Sequence, residues 1–112
     1  MSMTNNKMKD TATDALHILR LSECYRYLAD WMETHETLPW HVGVNWSKDG
    51  LIVHLHEQSF ARIFADKSVD MTCDGQGTTW VFEHSHILFT CYVPNTSSLI
   101  GAFGRSNSKK SA

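Results

Sequence analysis

The chain has 112 residues, a formal charge of −2, and 42% hydrophobic and 11% aromatic residues. This size and composition predict one globular domain without room for a second core. Lysine and arginine are scattered, which argues against nucleic acid as a partner because phosphate binding needs a concentrated basic face. No apolar run is long enough to cross a bilayer and no secretory signal is present, so we expect a cytoplasmic protein that does not enter membranes.

The first half of the chain predicts a long helix after a polar N-terminus. Residues 1–10 are polar and are expected to be flexible. From about residue 11 to residue 36, apolar side chains recur at spacings of three and four, as on one face of a helix. This stripe consists of Ile18, Leu21, Tyr25, Leu28 and Met32. Leu38-Pro39 ends the helix, because the residue before a proline resists the helical conformation.

Residues 40–57 predict a β-hairpin around Asp49-Gly50, with the glycine expected at a positive φ. A four-residue loop would pair His41 with His56, and a two-residue loop would shift each pair by two. Both registers separate two faces, because side chains alternate along a strand. The bulky face would carry Trp40, Val42, Val44, Trp46, Leu51, Val53 and Leu55, and the other would carry His41, Asn45, Ile52, His54 and His56.

Residues 58–66 predict a short helix, with a bulged continuation of the strand as the alternative. Three strands follow, over residues 69–73, 78–82 and 87–93. Turn geometry pairs Cys73 with Thr78 and Phe82 with Ile87. One face of this meander is apolar: Val69, Met71, Cys73, Trp80, Phe82, Ile87, Phe89 and Cys91. The other face is mixed: Asp70, Thr72, Thr79, Val81, His86, Leu88, Thr90 and Tyr92.

These elements predict an α+β fold over residues 11–94. In the order α-β-β-α-β-β-β, an antiparallel sheet of about five strands carries the long N-terminal helix on its apolar face. Residues 95–112 are rich in Ser, Gly and Asn and are expected to be mostly disordered. Within this tail, Leu99, Ile100 and Phe103 could pack locally or form a short docking segment.

The cysteines are interpreted as small buried residues. Their number, three, is odd, and a reducing compartment argues against a disulfide framework. The predicted meander also sets Cys73 and Cys91 roughly 9–10 Å apart, too far for a disulfide. Cys73 points inward in this arrangement, which makes it a poor nucleophile.

The uncovered sheet face is the candidate binding interface. Its residues are His41, Ile52, His54, His56, Leu88, Thr90 and Tyr92. This face is too apolar for plain surface and too polar for a second core, so it is expected to meet another molecule. We therefore predict a non-enzymatic protein–protein interaction module, a regulator, inhibitor or accessory subunit, that forms homo-oligomers through this face and needs no cofactor. A third, weaker alternative is a small ligand held between this face and the tail.

A metal site is the main alternative hypothesis. His54 and His56 would point the same way along a strand, and His41 would add a third imidazole in the register that sets it opposite His56. Such a trio suits Zn²⁺ or a similar divalent transition metal, in a metal-binding protein or a small metal-dependent enzyme. Glu83 and His86, expected as neighbours across a turn, form a further acid–base candidate. No catalytic residue is assigned.

Overall fold

The computed structural model describes residues 2–103 and 108–110, and the side chains of residues 15–103. Two helices, α1 (Ser2–His35) and α2 (Glu57–Ile63), accompany the strands. The strands are β1 (His41–Asn45), β2 (Gly50–His54), β3 (Asp70–Cys73), β4 (Gly77–His84), β5 (Ile87–Pro94) and β6 (Ser108–Lys110). The α+β class and the order of α1 to β5 are confirmed. Helix α1 begins well before residue 11, and the chain beyond β5 contributes β6.

The described strands form one sheet in the order β1-β2-β5-β4-β3-β6. Strand β2 pairs in parallel with β5, and β3 pairs in parallel with β6, while the other pairs are antiparallel. The sheet is therefore mixed, and the prediction of a purely antiparallel sheet was wrong. Tight turns fix the β1–β2 and β4–β5 hairpins locally. The parallel contact between β2 and β5 joins these hairpins after the chain has passed through α2, β3 and β4, and local turn signals do not encode such a contact.

Both helices cover one face of this sheet, called here the helix face. The core consists of Cys24, Leu28, Trp31, Leu51, Val53, Leu55, Phe60, Phe64, Val69, Met71, Trp80, Ile87, Phe89, Cys91 and Val93. Trp31 of α1 stacks on Phe89 with ring centroids 4.6 Å apart, and Phe60 of α2 lies 5.6 Å from Trp80. Apart from Cys73, which is half-buried at the end of β3, the apolar face predicted for the meander lies in or against this core, so the predicted alternation along these strands is confirmed.

The β1–β2 hairpin has neither of the two predicted registers. His41 pairs with His54 and Asn45 with Gly50, and a turn of 3-10 helix, Trp46–Lys48, lies in the loop. Asp49, not the glycine, takes the positive φ of 58°. Gly50 is needed for another reason, because a Cβ there would lie 1.7 Å from the backbone oxygen of His86. The strand faces are unchanged, since the register differs by an even number of residues.

The β4–β5 turn also differs by two residues from its prediction. Phe82 pairs with Phe89 instead of Ile87, and the turn residue Ser85 has a φ of 56°. Glu83 consequently pairs with Leu88, and His86 lies in the turn. The predicted contact between Glu83 and His86 across the turn was therefore wrong.

Two tryptophans predicted in the core are exposed. Trp40 is 60% exposed and Trp46 is 66% exposed. Trp40 precedes the first paired residue of β1, and Trp46 begins the 3-10 turn, so strand alternation controls neither side chain. The ring of Trp46 lies against His17 of α1, with centroids 6.1 Å apart.

Part of the tail packs on the domain. Leu99 and Phe103 lie against the core, and the Phe103 ring meets Trp80 edge-on at 4.6 Å. The Ser97 hydroxyl donates a hydrogen bond of 2.6 Å to the Glu57 carboxylate at the start of α2. The sequence left open whether this segment packs locally or serves as a docking segment, and in the structure Leu99 and Phe103 pack locally.

Candidate functional site

The sheet face opposite the helices, called here the open face, has no covering element among the described residues. Ile52 and Leu88 are partners across the parallel β2–β5 pair, and Val81 faces Thr90 across β4–β5. All three aliphatic side chains are half-buried. Because part of each remains accessible, the middle of the open face is an apolar patch contributed by three adjacent strands.

Aromatic and imidazole rings border this patch on the β1–β2 side. His41 and His54 are direct partners with ring centroids 5.3 Å apart. Trp40 joins them, since its ring lies 5.1 Å from His54 and its backbone N–H donates to the His54 carbonyl at 3.0 Å. Partial burial, and then the neighbouring His41, lower the pKa of His54. The neutral imidazole is therefore favoured in the isolated chain.

Two carboxylates lie on the open face on the other side of β5, before the edge strand β6 is reached. Asp70 on β3 pairs with Val81, and Glu83 on β4 pairs with Leu88, so both carboxylates point to this face. Among the described side chains of the open face, no lysine or arginine accompanies them. The open face thus has imidazoles along one side and carboxylates along the other.

Tyr92 closes the end of the open face beyond Thr90. Its hydroxyl donates to the Asp74 carboxylate at 3.4 Å, and Asp74 also accepts the backbone N–H groups of Gln76 and Gly77 at 2.9 Å each. Those backbone hydrogen bonds lower the pKa of Asp74, whereas partial burial and the Asp74 carboxylate raise the pKa of Tyr92. Tyr92 is therefore a neutral, anchored side chain that is still 47% exposed.

A hollow of about 400 Å³ lies between Trp40 and Tyr92. Its floor and walls include Leu55, His56 and Glu57. His56 is the residue before α2, outside strand β2, and is exposed. A hollow bordered by two accessible aromatic side chains is a typical place for a partner side chain to insert.

The predicted interface residues are thus only partly together. His41, Ile52, His54, Leu88, Thr90 and Tyr92 share the open face by register, although Thr90 is buried and donates to the Trp80 carbonyl at 3.0 Å. His56 lies at the rim of the hollow. Trp40 was predicted on the core face and not at this border, and the only signal for its true position was Pro39, which indicates that regular pairing has not yet begun.

The structure does not assemble the predicted three-histidine site. His41 and His54 face each other, but His56 lies beyond the end of β2. Across the described residues, no group of three or more His, Cys, Asp or Glu side chains could hold a metal ion.

Two of the three thiols are buried core groups, whereas Cys73, predicted to be buried, is only half-buried. All three cysteines are free, and Cys24 and Cys91 are buried. Burial raises the pKa of Cys24, and burial followed by the Glu57 carboxylate raises the pKa of Cys91 to about 12. Both thiols therefore stay protonated at neutral pH and are poor nucleophiles.

No helix in the described part of the chain has the length and apolar character needed to span a bilayer. Comparisons with models of known families, with curated proteins and with solved structures found no match.

Proposed function

We propose that this chain is a non-enzymatic interaction module that self-associates through the open face. The observation that supports the proposal is the half-buried patch of Ile52, Val81 and Leu88 in the middle of a sheet face without a cover in residues 15–103. The three free thiols suit a reducing cytoplasm, where we place this association. A regulator, inhibitor or accessory subunit would use the same surface.

The size of the open face agrees with a modest dimer interface. Strands spaced about 4.8 Å apart and rising about 3.3 Å per residue give five strands a face of roughly 400–600 Å². Two such faces together bury roughly 800–1,200 Å², around the lower limit of about 1,000 Å² for a specific interface. Trp40 and Tyr92 at the rim add area and the aromatic anchors that dominate binding energy.

Charge distribution favours a second copy as the partner. A two-fold axis lying in the open face along β5 exchanges the two sides of the sheet that flank β5. His41 and His54 of one copy would then lie on the side where Asp70 and Glu83 of the other copy lie. Such an isologous contact pairs imidazoles with carboxylates twice, once on each side of β5.

The proposal is tested by measuring mass in solution with light scattering over a range of concentrations. The wild-type chain should show a dimer of twice 12.8 kDa. Leu88→Asp places a carboxylate in the apolar patch and should give the monomer, because a buried unpaired charge is costly. Circular dichroism checks that the variant keeps its fold.

The matched control is Leu19→Asp on α1, because Leu19 is 62% exposed and lies outside the sheet. This variant should remain a dimer. A monomeric wild type, or a dimer disrupted by Leu19→Asp and not by Leu88→Asp, would contradict the proposal and, in the second case, move the interface to α1.

A further inference from the structure

A second hollow, of about 300 Å³, lies on the helix face, away from the open face. It opens between the middle of α1 and the turn that joins β4 to β5. Its described lining includes Arg20, Cys24 and Tyr27 from α1, and His84, His86 and Ile87 from the β4–β5 hairpin. The volume lies at the lower end of the range of about 300–1,000 Å³ for small-molecule sites.

One wall carries a cation beside an imidazole whose tautomer is fixed. The Nδ1 of His86 is 3.1 Å from the backbone oxygen of Lys48 and can only donate to it. In the neutral ring, Nε2 is therefore the acceptor, and it accepts a hydrogen bond from the Arg20 guanidinium. Because Arg20 is always charged, this wall carries a positive charge at any physiological pH.

The rest of the hollow is aromatic and apolar. The Tyr27 and His84 rings stack with centroids 5.1 Å apart and an interplanar angle of 23°. Ile87 is 2% exposed and Cys24 is 6% exposed, so the floor of the hollow is part of the hydrophobic core and offers a ligand an apolar surface. A guanidinium above a dry floor matches a ligand that has a negative group at one end and an apolar body at the other.

We infer that this hollow binds a small organic acid, with its carboxylate between Arg20 and His86 and its apolar body against Ile87 and the Tyr27–His84 pair. The carboxylate takes the Arg20 donors that otherwise go to His86 Nε2. Nε2 then carries a proton and donates to the ligand, while Nδ1 keeps donating to Lys48. Binding is therefore coupled to the uptake of one proton by His86.

Neighbouring charges set the strength of this coupling. On α1, the Glu23 carboxylate lies 3.6 Å from Arg20 Nε and offsets part of its charge. On the β1–β2 loop, the Asp49 carboxylate lies 2.5 Å from His17 Nδ1, and the backbone oxygen of Lys48 contacts His86 in the β4–β5 turn. The other titratable groups at the hollow are His84 from β4 and Cys24 and Tyr27 from α1. Because Arg20 is the one arginine in the described lining and Glu23 offsets part of its charge, the site suits an anion of low charge better than a polyanion.

The test uses benzoate as the probe, with titration followed by amide and methyl NMR of the full chain. Shift changes should appear at Cys24, Tyr27 and Ile87. Binding should strengthen by several-fold on going from about pH 7.5 to about pH 5.5, where the carboxylate of the probe stays ionised. Benzyl alcohol, which lacks the charge, should bind at least about tenfold more weakly, because hydrogen bonds to charged groups are the stronger ones.

Two substitutions locate the site. Arg20→Gln should weaken benzoate binding by about tenfold or more, whereas Arg26→Gln, an exposed arginine of α1 outside the hollow, should leave it unchanged. His86→Gln should remove the pH dependence and keep part of the affinity. Dispersed amide spectra confirm that each variant is folded.

Four outcomes overturn the inference. They are shift changes that map elsewhere in the wild type, equal binding of benzyl alcohol, equal loss in Arg26→Gln, and inorganic phosphate binding as tightly as benzoate. The last would show that the apolar floor contributes nothing. None of these readouts depends on association through the open face, so this test and that of the proposed function fail separately.

Discussion

The two faces of one strand pair, β2 and β5, differ in what covers them. On the helix face, Leu51 is 0% exposed and Phe89 is 1% exposed. On the open face, their sequence neighbours Ile52 and Leu88 remain half-buried. Since the same backbone presents both sets of side chains, the difference comes from the helices. The helix face stabilises the fold, and the open face leaves apolar area accessible, as the proposed association requires.

The largest difference between the two faces is expected when the side chains of adjacent β5 residues are shortened to alanine. Phe89→Ala should lower the free energy of unfolding by about 3–5 kcal/mol, because it leaves a cavity beneath Trp31. Leu88→Ala should cost less than about 1.5 kcal/mol, because solvent already reaches that side chain. Denaturant unfolding at low protein concentration measures both, and equal losses would mean that the open face is packed like the core.

A smaller loss is expected where the two hairpins meet. Gly50→Ala places a methyl group against the His86 carbonyl, so the backbone of one hairpin must shift. We expect a cost of about 1–3 kcal/mol, as for other overpacked sites. Thermal unfolding measures it, with Gly75→Ala as a comparison: a Cβ there meets nothing within 4 Å, and only the φ of 90° opposes it. If Gly50→Ala is neutral, the close contact with His86 does not exist in solution.

The open face also offers a matched pair of tyrosines. Tyr92 and Tyr25 are each 47% exposed, the first on the open face and the second on α1. Tyr92→Ala should raise the dimer Kd by about tenfold, or roughly 1–2 kcal/mol, because exposed aromatics beside a hollow serve as anchors. Tyr25→Ala should leave the Kd unchanged. Sedimentation equilibrium gives both values, and the reverse result would assign the interface to the helix.

The smallest effect concerns pH. Burial, and then His41, lower the pKa of His54 below its ordinary value of 6.5. The unfolded chain therefore binds more protons than the folded chain, and stability is lost as the pH falls from 6.5 toward the folded pKa. His54→Gln should flatten this dependence. The comparison is made at low protein concentration, so that association does not contribute, and identical pH profiles for the two chains would contradict it.

Much of the fold could be predicted because alternation is a local property. Leu51, Val53 and Trp80 point inward in any register that shifts by two, so errors of two residues at both turns left their faces unchanged. The parallel β2–β5 contact could not be predicted, because no turn residue encodes a pairing across α2. Trp40 and Trp46 were misplaced because strand parity was extended one residue beyond each end of β1.

The candidate site, too, contains some residues that alternation predicts and others that it does not. Ile52, His54 and Leu88 were assigned to the open face from alternation alone, and the register places them there. His56 was expected beside them, but β2 ends at His54 and the chain turns into α2. The hollow at Arg20 and His86 lies between distant segments, so no spacing in the sequence indicates it.

Intermolecular nuclear Overhauser effects, in a sample that mixes labelled and unlabelled chains, show which surfaces of two copies touch. Association through the open face should give contacts between copies from the methyl groups of Ile52, Val81 and Leu88. Contacts between copies that involve instead the exposed methyl groups of Leu16 and Leu19 on α1 would contradict it.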